Sequence, residues 1–138
     1  MRIVVDVNVV LSALIRNSST RKLIFETKHE LYFPEHSLHK LRKYQNYVIG
    51  KAGLNERDYA RLLAILFRNL KVIQTEEIKE NWGKAKEIME HIDKEDVVFI
   101  AAALSLDNSA IWSEDKDFER QTRVKLLKTR DIVELFSS

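Results

Sequence analysis

Residues Val97 to Leu104 form an unbroken run of eight apolar side chains, Val-Val-Phe-Ile-Ala-Ala-Ala-Leu. The run contains neither glycine nor proline and ends in alanine and leucine, so it reads as a helix. A helix that is apolar on every side cannot lie on a surface; other elements have to enclose it. It is also far short of the ~20 residues needed to cross a bilayer. The chain must therefore build a layered interior around this segment.

The rest of the sequence supplies the layers. Ile3, Val4 and Val5 are β-branched without polar alternation, which suggests a strand buried on both faces. Glu30 to Phe33, Val72-Ile73, Ala110 to Trp112 and Lys125 to Leu127 read as four further strands. Helical stretches lie between them. Val9 to Ile15 and Arg21 to Lys28 come first, separated by the polar break Asn17 to Thr20. From Glu35 to Ile49, Leu38, Leu41, Tyr44 and Val48 recur at helical spacing. Asn55 is a candidate N-cap, followed by Tyr59, Leu62, Leu63, Leu66, Phe67 and Leu70 on one face. Thr75 opens a stretch with Trp82, Ala85, Ile88 and Met89 turned inward; Asp93 to Leu106 carries the buried run; Thr129 and Asp131 open a short last helix. Strands alternating with helices imply an α/β fold with parallel pairing and right-handed crossovers. At 138 residues, with no repeat or linker, residues 1–138 are expected to form a single domain.

Composition narrows the function classes. An apolar share of 45% and a charged share of 32% describe a folded globular chain. Cysteine is absent, which excludes disulfides and thiolate metal sites and suits a reducing compartment. Met1 to Val5 meets Asp6 before any signal-peptide core forms, so a cytoplasmic location with no membrane contact is expected. The net charge of +2 is nearly balanced, so any case for nucleic acid rests on where the charges fall.

The acids are placed unevenly. Asp6 follows the first strand, and Asp115 and Asp117 lie just beyond the fourth. Asp93 and Asp96 stand three apart at the amino end of the buried helix. Each has an ordinary structural reading, as a turn former or a helix cap. Ligands of open parallel sheets, however, gather outside the carboxyl ends of the strands, where these segments would meet. Several carboxylates at short range repel one another unless a cation shares them. An all-oxygen set suits Mg²⁺ or Mn²⁺ and not zinc. A cation so held activates water and offsets phosphate charge, which points to phosphodiester hydrolysis.

Three segments together resemble the PIN family of nucleases. Val4-Val5-Asp6-Val7-Asn8-Val9-Val10-Leu11 is similar to the family's opening motif; Asp93-Lys94-Glu95-Asp96-Val97-Val98-Phe99-Ile100-Ala101 to its middle one; Ile111-Trp112-Ser113-Glu114-Asp115-Lys116-Asp117-Phe118 to its last. The resemblance implies a three-layer α/β/α domain with five parallel strands in the order 3-2-1-4-5. It implies metal ligation by Asp6, Asp96 and Asp115, with Asp117 an alternate or supporting ligand. Asn8, Asp93 and Ser113 would support them. One element departs from the pattern. The family usually places a glutamate on the helix after the second strand, and that position falls at Lys40, or at His39 if the register slips by one. Glu35 is a poor replacement, because five residues turn a helix by about 500° and leave it ~140° away. Lys40 either reaches solvent or places its ammonium against Asp6 or Asp96.

Basic residues cluster at Lys40, Arg42, Lys43 and Lys51, interleaved with Tyr44 and Tyr47, and again at Arg120, Arg123, Lys125, Lys128 and Arg130. Arg42, Lys43 and Tyr47 are the candidate RNA contacts, since cations neutralise phosphates and rings stack on unpaired bases. The ordinary reading is a solvated helix face, with Tyr44 in the core stripe. Two functions stay open. One is a metal-dependent endoribonuclease acting on single-stranded or structured RNA, which by resemblance extends to the toxin of a toxin–antitoxin pair, with a protein antitoxin and a homodimer. The other is a degenerate module that binds RNA or protein without cutting. A phosphotransferase of the haloacid dehalogenase type is excluded, because it needs a proton-donating acid where Asn8 carries an amide.

Overall fold

The computed structural model describes residues 1–137. Its centre is β1 (Arg2–Val5), which pairs in parallel with β2 (Glu30–Pro34) on one side and β4 (Ser109–Trp112) on the other. Both edges of β1 are hydrogen-bonded and Ile3, Val4 and Val5 are fully buried, which is why its sequence shows no polar alternation. β3 (Leu70–Ile73) extends the sheet beyond β2, and β5 (Leu126–Leu127) beyond β4. The sheet is five-stranded and parallel in the order 3-2-1-4-5, as the family resemblance implied. The chain walks outward from β1 to β3 and then returns to β4. With right-handed crossovers, that reversal puts the two sets of connecting helices on opposite faces.

On one face, α1 (Val7–Ile15) packs against α2 (Ser19–Glu26), α3 (Leu38–Lys43), α4 (Gln45–Ala52) and α5 (Glu56–Leu66). Arg21, on α2, donates from Nε to the carbonyl of Ala13 at 2.7 Å, so a side chain satisfies one of the bare carbonyls at the end of α1. Asn55 caps α5 by accepting the Asp58 N–H at 2.8 Å. On the other face, α6 (Thr75–Ile78) and α7 (Trp82–Met89) lead to α8 (Val97–Leu104), which packs on β1, β2 and β4 beneath α7. Every α8 residue from Val97 to Ala103 is buried, as an all-apolar helix requires. α9 (Thr129–Ser137) closes the fold against α2 and β5.

The helices are more broken than the periodicity suggests. The single helix expected from Glu35 to Ile49 is a 3-10 turn (Glu35–Ser37), then α3, a bend at Tyr44 with φ −96° and ψ 5°, and α4. Neither glycine nor proline marks the bend, so the spacing of apolar residues runs straight through it. Tyr44 leaves the core stripe and is exposed. α4 ends at Gly53, whose φ of 68° is left-handed and suits glycine at this cap, with Leu54 N–H reaching back to the Ile49 carbonyl at 3.2 Å. The expected helix from Thr75 to Met89 is likewise split by a 3-10 turn at Lys79–Asn81. The helix expected from Asp93 becomes regular only at Val97, after a 3-10 turn over Lys94–Asp96.

Phe99 of α8 joins the two halves of the core, its ring 6.5 Å from Phe33 of β2 and 6.4 Å from Phe118 beyond β4. Phe99→Ala leaves a cavity at that junction and is expected to destabilise the chain by about 3–5 kcal/mol, read as a lower urea midpoint.

Candidate metal centre

The site begins with the register of two strands. Val5 of β1 lies opposite Trp112 of β4, and the ladder continues one step further through the Asp6 N–H to the Trp112 carbonyl at 3.0 Å. That step brings Asp6 beside Ser113 at the carboxyl edge of the sheet. The strand order reverses between β1 and β4, and a crevice at such a reversal is where open parallel sheets bind ligands.

Asp6 is only 2% exposed. Its carboxylate accepts the Ser113 hydroxyl at 2.6 Å. Burial raises its pKa, and the Ser113 hydroxyl, with the nearby backbone amides of Val7 and Asn8, acts against that rise. Ser113 Oγ in turn accepts the Asp115 N–H at 2.9 Å, and Asp115 Oδ1 accepts the Asp117 N–H at 2.9 Å. A single chain of hydrogen bonds therefore runs from the end of β1 through the loop after β4. Asp93 does the equivalent work before α8, accepting the Glu95 N–H at 3.0 Å.

These caps leave other carboxylate oxygens free to converge. Asp93, Asp96, Asp115 and Asp117 each offer an oxygen, and the four lie within 4.8 Å of one another. Asp6 stands outside that set of four but acts electrostatically on Asp96, and Asp115 acts on Asp6. Asp96 is the most constrained member. It is 6% exposed, and its Oδ2 has no hydrogen-bond partner among the described residues. Burial first, then the charges of Asp6, Asp93 and Asp115, push its pKa up to about 8, with Lys40 pulling the other way. Asp117 is raised as well, by desolvation and by Asp115 and Asp93.

An orphaned, buried carboxylate oxygen among three other acids fits a divalent cation, because the cation satisfies the oxygen and cancels the mutual repulsion. The donor set is all oxygen and so matches a hard ion such as Mg²⁺ or Mn²⁺. Next to the cluster, Asn8, Ser12, Thr20, Glu114, Asp115 and Thr129 line a cleft of about 360 Å³. Asn8, two residues after Asp6, lines this cleft from the first turn of α1.

Lys40 neither reaches free solvent nor forms an ion pair with Asp6 or Asp96. Its Nζ lies 3.3 Å from Glu95 Oε2, and its side chain is only 18% exposed. Glu95 is the residue that sequence reasoning missed; it is 55 positions from Lys40 and looks like an ordinary surface acid in the first turn of a helix. His39 is exposed, with Nδ1 2.7 Å from the His36 carbonyl. Arg42 faces an apolar groove with Leu38 and Leu63 rather than the acids. Lys43 and Lys51 lie over the rings of Tyr44 and Tyr47, at 5.5 and 5.9 Å, and Tyr47 is 59% exposed.

A family model described as a PIN domain matches residues 4–135. No curated protein matches the chain. Among the described residues, no helix is long and apolar enough to cross a membrane.

The raised pKa of Asp96 sets a pH dependence. A carboxyl held above its ordinary value, about 4, binds its proton more tightly when folded than when unfolded. Its contribution to stability is complete at acid pH and is lost as pH rises toward about 8. Metal-free protein is therefore expected to lose Tm over that interval. Asp96→Asn, with no charge to expose, flattens the fall; an unchanged Tm-against-pH curve in the variant contradicts the assignment.

Proposed function

The chain belongs to the PIN domain family, and from that premise we propose that it is a divalent-metal-dependent endoribonuclease whose metal is held by the acids at the carboxyl edge of β1 and β4. The observation that carries this reading is the orphaned Oδ2 of buried Asp96 among three further carboxylates. Asp96 and Asp115 are the proposed principal ligands, with Asp93 and Asp117 completing the set. Asp6 contributes from beside it, held in place by Ser113 and the backbone at the start of α1. A bound Mg²⁺ or Mn²⁺ would supply an activated water and offset the charge of the attacked phosphate. The residues of the chain fix the position of that charge: the Ser113 hydroxyl holds Asp6, and the Glu95 and Asp117 N–H groups hold Asp93 and Asp115. Asn8, Ser12 and Thr20 give the neighbouring cleft hydrogen-bonding groups for a sugar or phosphate.

By the same reading, RNA is the substrate, Lys43 and Tyr47 are peripheral contacts, and a role as the toxin of a toxin–antitoxin pair follows from the family resemblance. The groove between α3, α5 and β3, lined by Leu38, Leu41, Tyr59, Leu63, Phe67 and Val72, supports self-association into a homodimer or seating of an antitoxin segment. A second reading, a PIN domain that binds RNA without cutting it, is favoured by one observation. At the position where an acid is expected, Lys40 presents a cation, and that cation acts on Asp96.

Two measurements separate these readings. Single-stranded RNA incubated with the protein and Mn²⁺ is expected to be cleaved, and Asp6→Asn and Asp96→Asn are expected to fall to background. Equal background in all three samples supports the binding module. Lys40→Glu replaces a repelling cation with a further oxygen ligand, so calorimetry is expected to show Mn²⁺ binding tightened by about tenfold or more. An affinity equal to that of the unaltered chain rejects the part assigned to Lys40.

A further inference from the structure

A second cleft, of about 220 Å³, opens at Lys40. His36, Ser37, His39 and Lys40 enter it from the turn after β2 and the start of α3, Trp82 from the start of α7, and Lys94 from the turn before α8. Its chemistry is the reverse of the acidic cluster's. Two ammonium groups and two imidazoles line it, against the single carboxylate of Glu95. The rings stand close, His36 at 5.6 Å from Trp82 and at 6.0 Å from His39.

Two features indicate that the cleft is made for a ligand. Ser37 belongs to the lining; it is 1% exposed, and its hydroxyl has no hydrogen-bond partner among the described residues. A buried hydroxyl without an acceptor is costly, and an anion entering the cleft would supply one. The Lys40 side chain is largely withdrawn from water, yet its ion-pair partner among the described residues, Glu95, is a 68% exposed arm. Such a pair is weak and readily exchanged for a better anion.

We infer that this cleft is a phosphate subsite, which holds a backbone phosphate of an RNA strand next to the one addressed by the acidic cluster. Lys40 and Lys94 supply the charge, the Ser37 hydroxyl donates to a phosphate oxygen, and Trp82 with His36 forms a wall for the attached nucleoside. His39 commits Nδ1 to the His36 carbonyl, which holds its ring in the lining of the cleft. The two sites are neighbours, since Lys40 acts electrostatically on Asp96. The cation at position 40 thus gives up strength at the metal centre and gains a grip on the strand. The identity of the strand rests on the nuclease reading; the anion chemistry does not.

The test is run on the whole chain without metal and with chelator, so that no cleavage can occur and failure of the subsite is separate from failure of the nuclease. Inorganic phosphate and a uridine trinucleotide are titrated while the ¹H–¹⁵N imidazole signals of His36 and His39 are followed. Both probes are expected to shift these signals, the trinucleotide at lower concentration. Lys40→Ala and Lys94→Ala are each expected to weaken binding about tenfold, the loss of one charge-assisted contact, while Lys40→Arg retains it. Signals that stay still with both probes overturn the subsite, as does an affinity unchanged in both alanine variants. A trinucleotide that binds no tighter than inorganic phosphate overturns the assignment to a strand.

Discussion

Negative charge held against an apolar interior is the constraint around which this molecule is organised. Asp6 and Asp96 are nearly as enclosed as the valines beside them, and carboxylates in that situation favour the proton over the charge. The fold tolerates them by fixing Asp6 and the acids around Asp96 with hydrogen bonds. The β1–β4 ladder is carried past the ends of both strands to seat Asp6 against Ser113. The turns after β4 and before α8 are each capped by an acid that also offers an oxygen to the common cluster. Stability and chemistry compete here: the arrangement that costs the free chain most is the one a divalent ion would relieve most.

The same competition gives Lys40 its meaning. A glutamate at that position would have added to the crowding; an ammonium reduces it. Because Glu95 holds the ammonium at 3.3 Å from outside the cluster, Lys40 stabilises Asp96 by proximity without forming a direct pair. The acidic and basic clefts therefore sit side by side, the one proposed for a cation and the other for an anion. That pairing suits a polyanion that arrives with its own counterions.

Much of the architecture is written in local sequence. Short β-branched runs between helical stretches announce a parallel sheet, and the continuous apolar run in α8 can only be an interior helix. Asp6, Asp96 and Asp115 stand out because each sits where a strand ends or a buried helix begins; Asp96 and Asp115 meet with Asp93 and Asp117, while Asp6 stands beside that set. What stayed hidden depends on contacts between distant segments. The bend at Tyr44 has no glycine or proline to betray it. Glu95 reads as a helix-start acid until α3 is placed beside α8. Ser37 looks like one more polar residue in a turn, and only the folded chain buries its hydroxyl. Arg21 reads as a surface cation, yet it closes the end of α1.

Ser113 has a consequence of its own. A hydroxyl carries a single hydrogen, and here that hydrogen is committed to Asp6 while the oxygen's lone pair takes the Asp115 amide. One oxygen atom therefore serves two partners, a carboxylate at the end of β1 and a backbone amide in the loop after β4. Replacing Ser113 by alanine would take the donor from the first and the acceptor from the second in a single stroke, so the seam between two strand ends hangs on one hydroxyl.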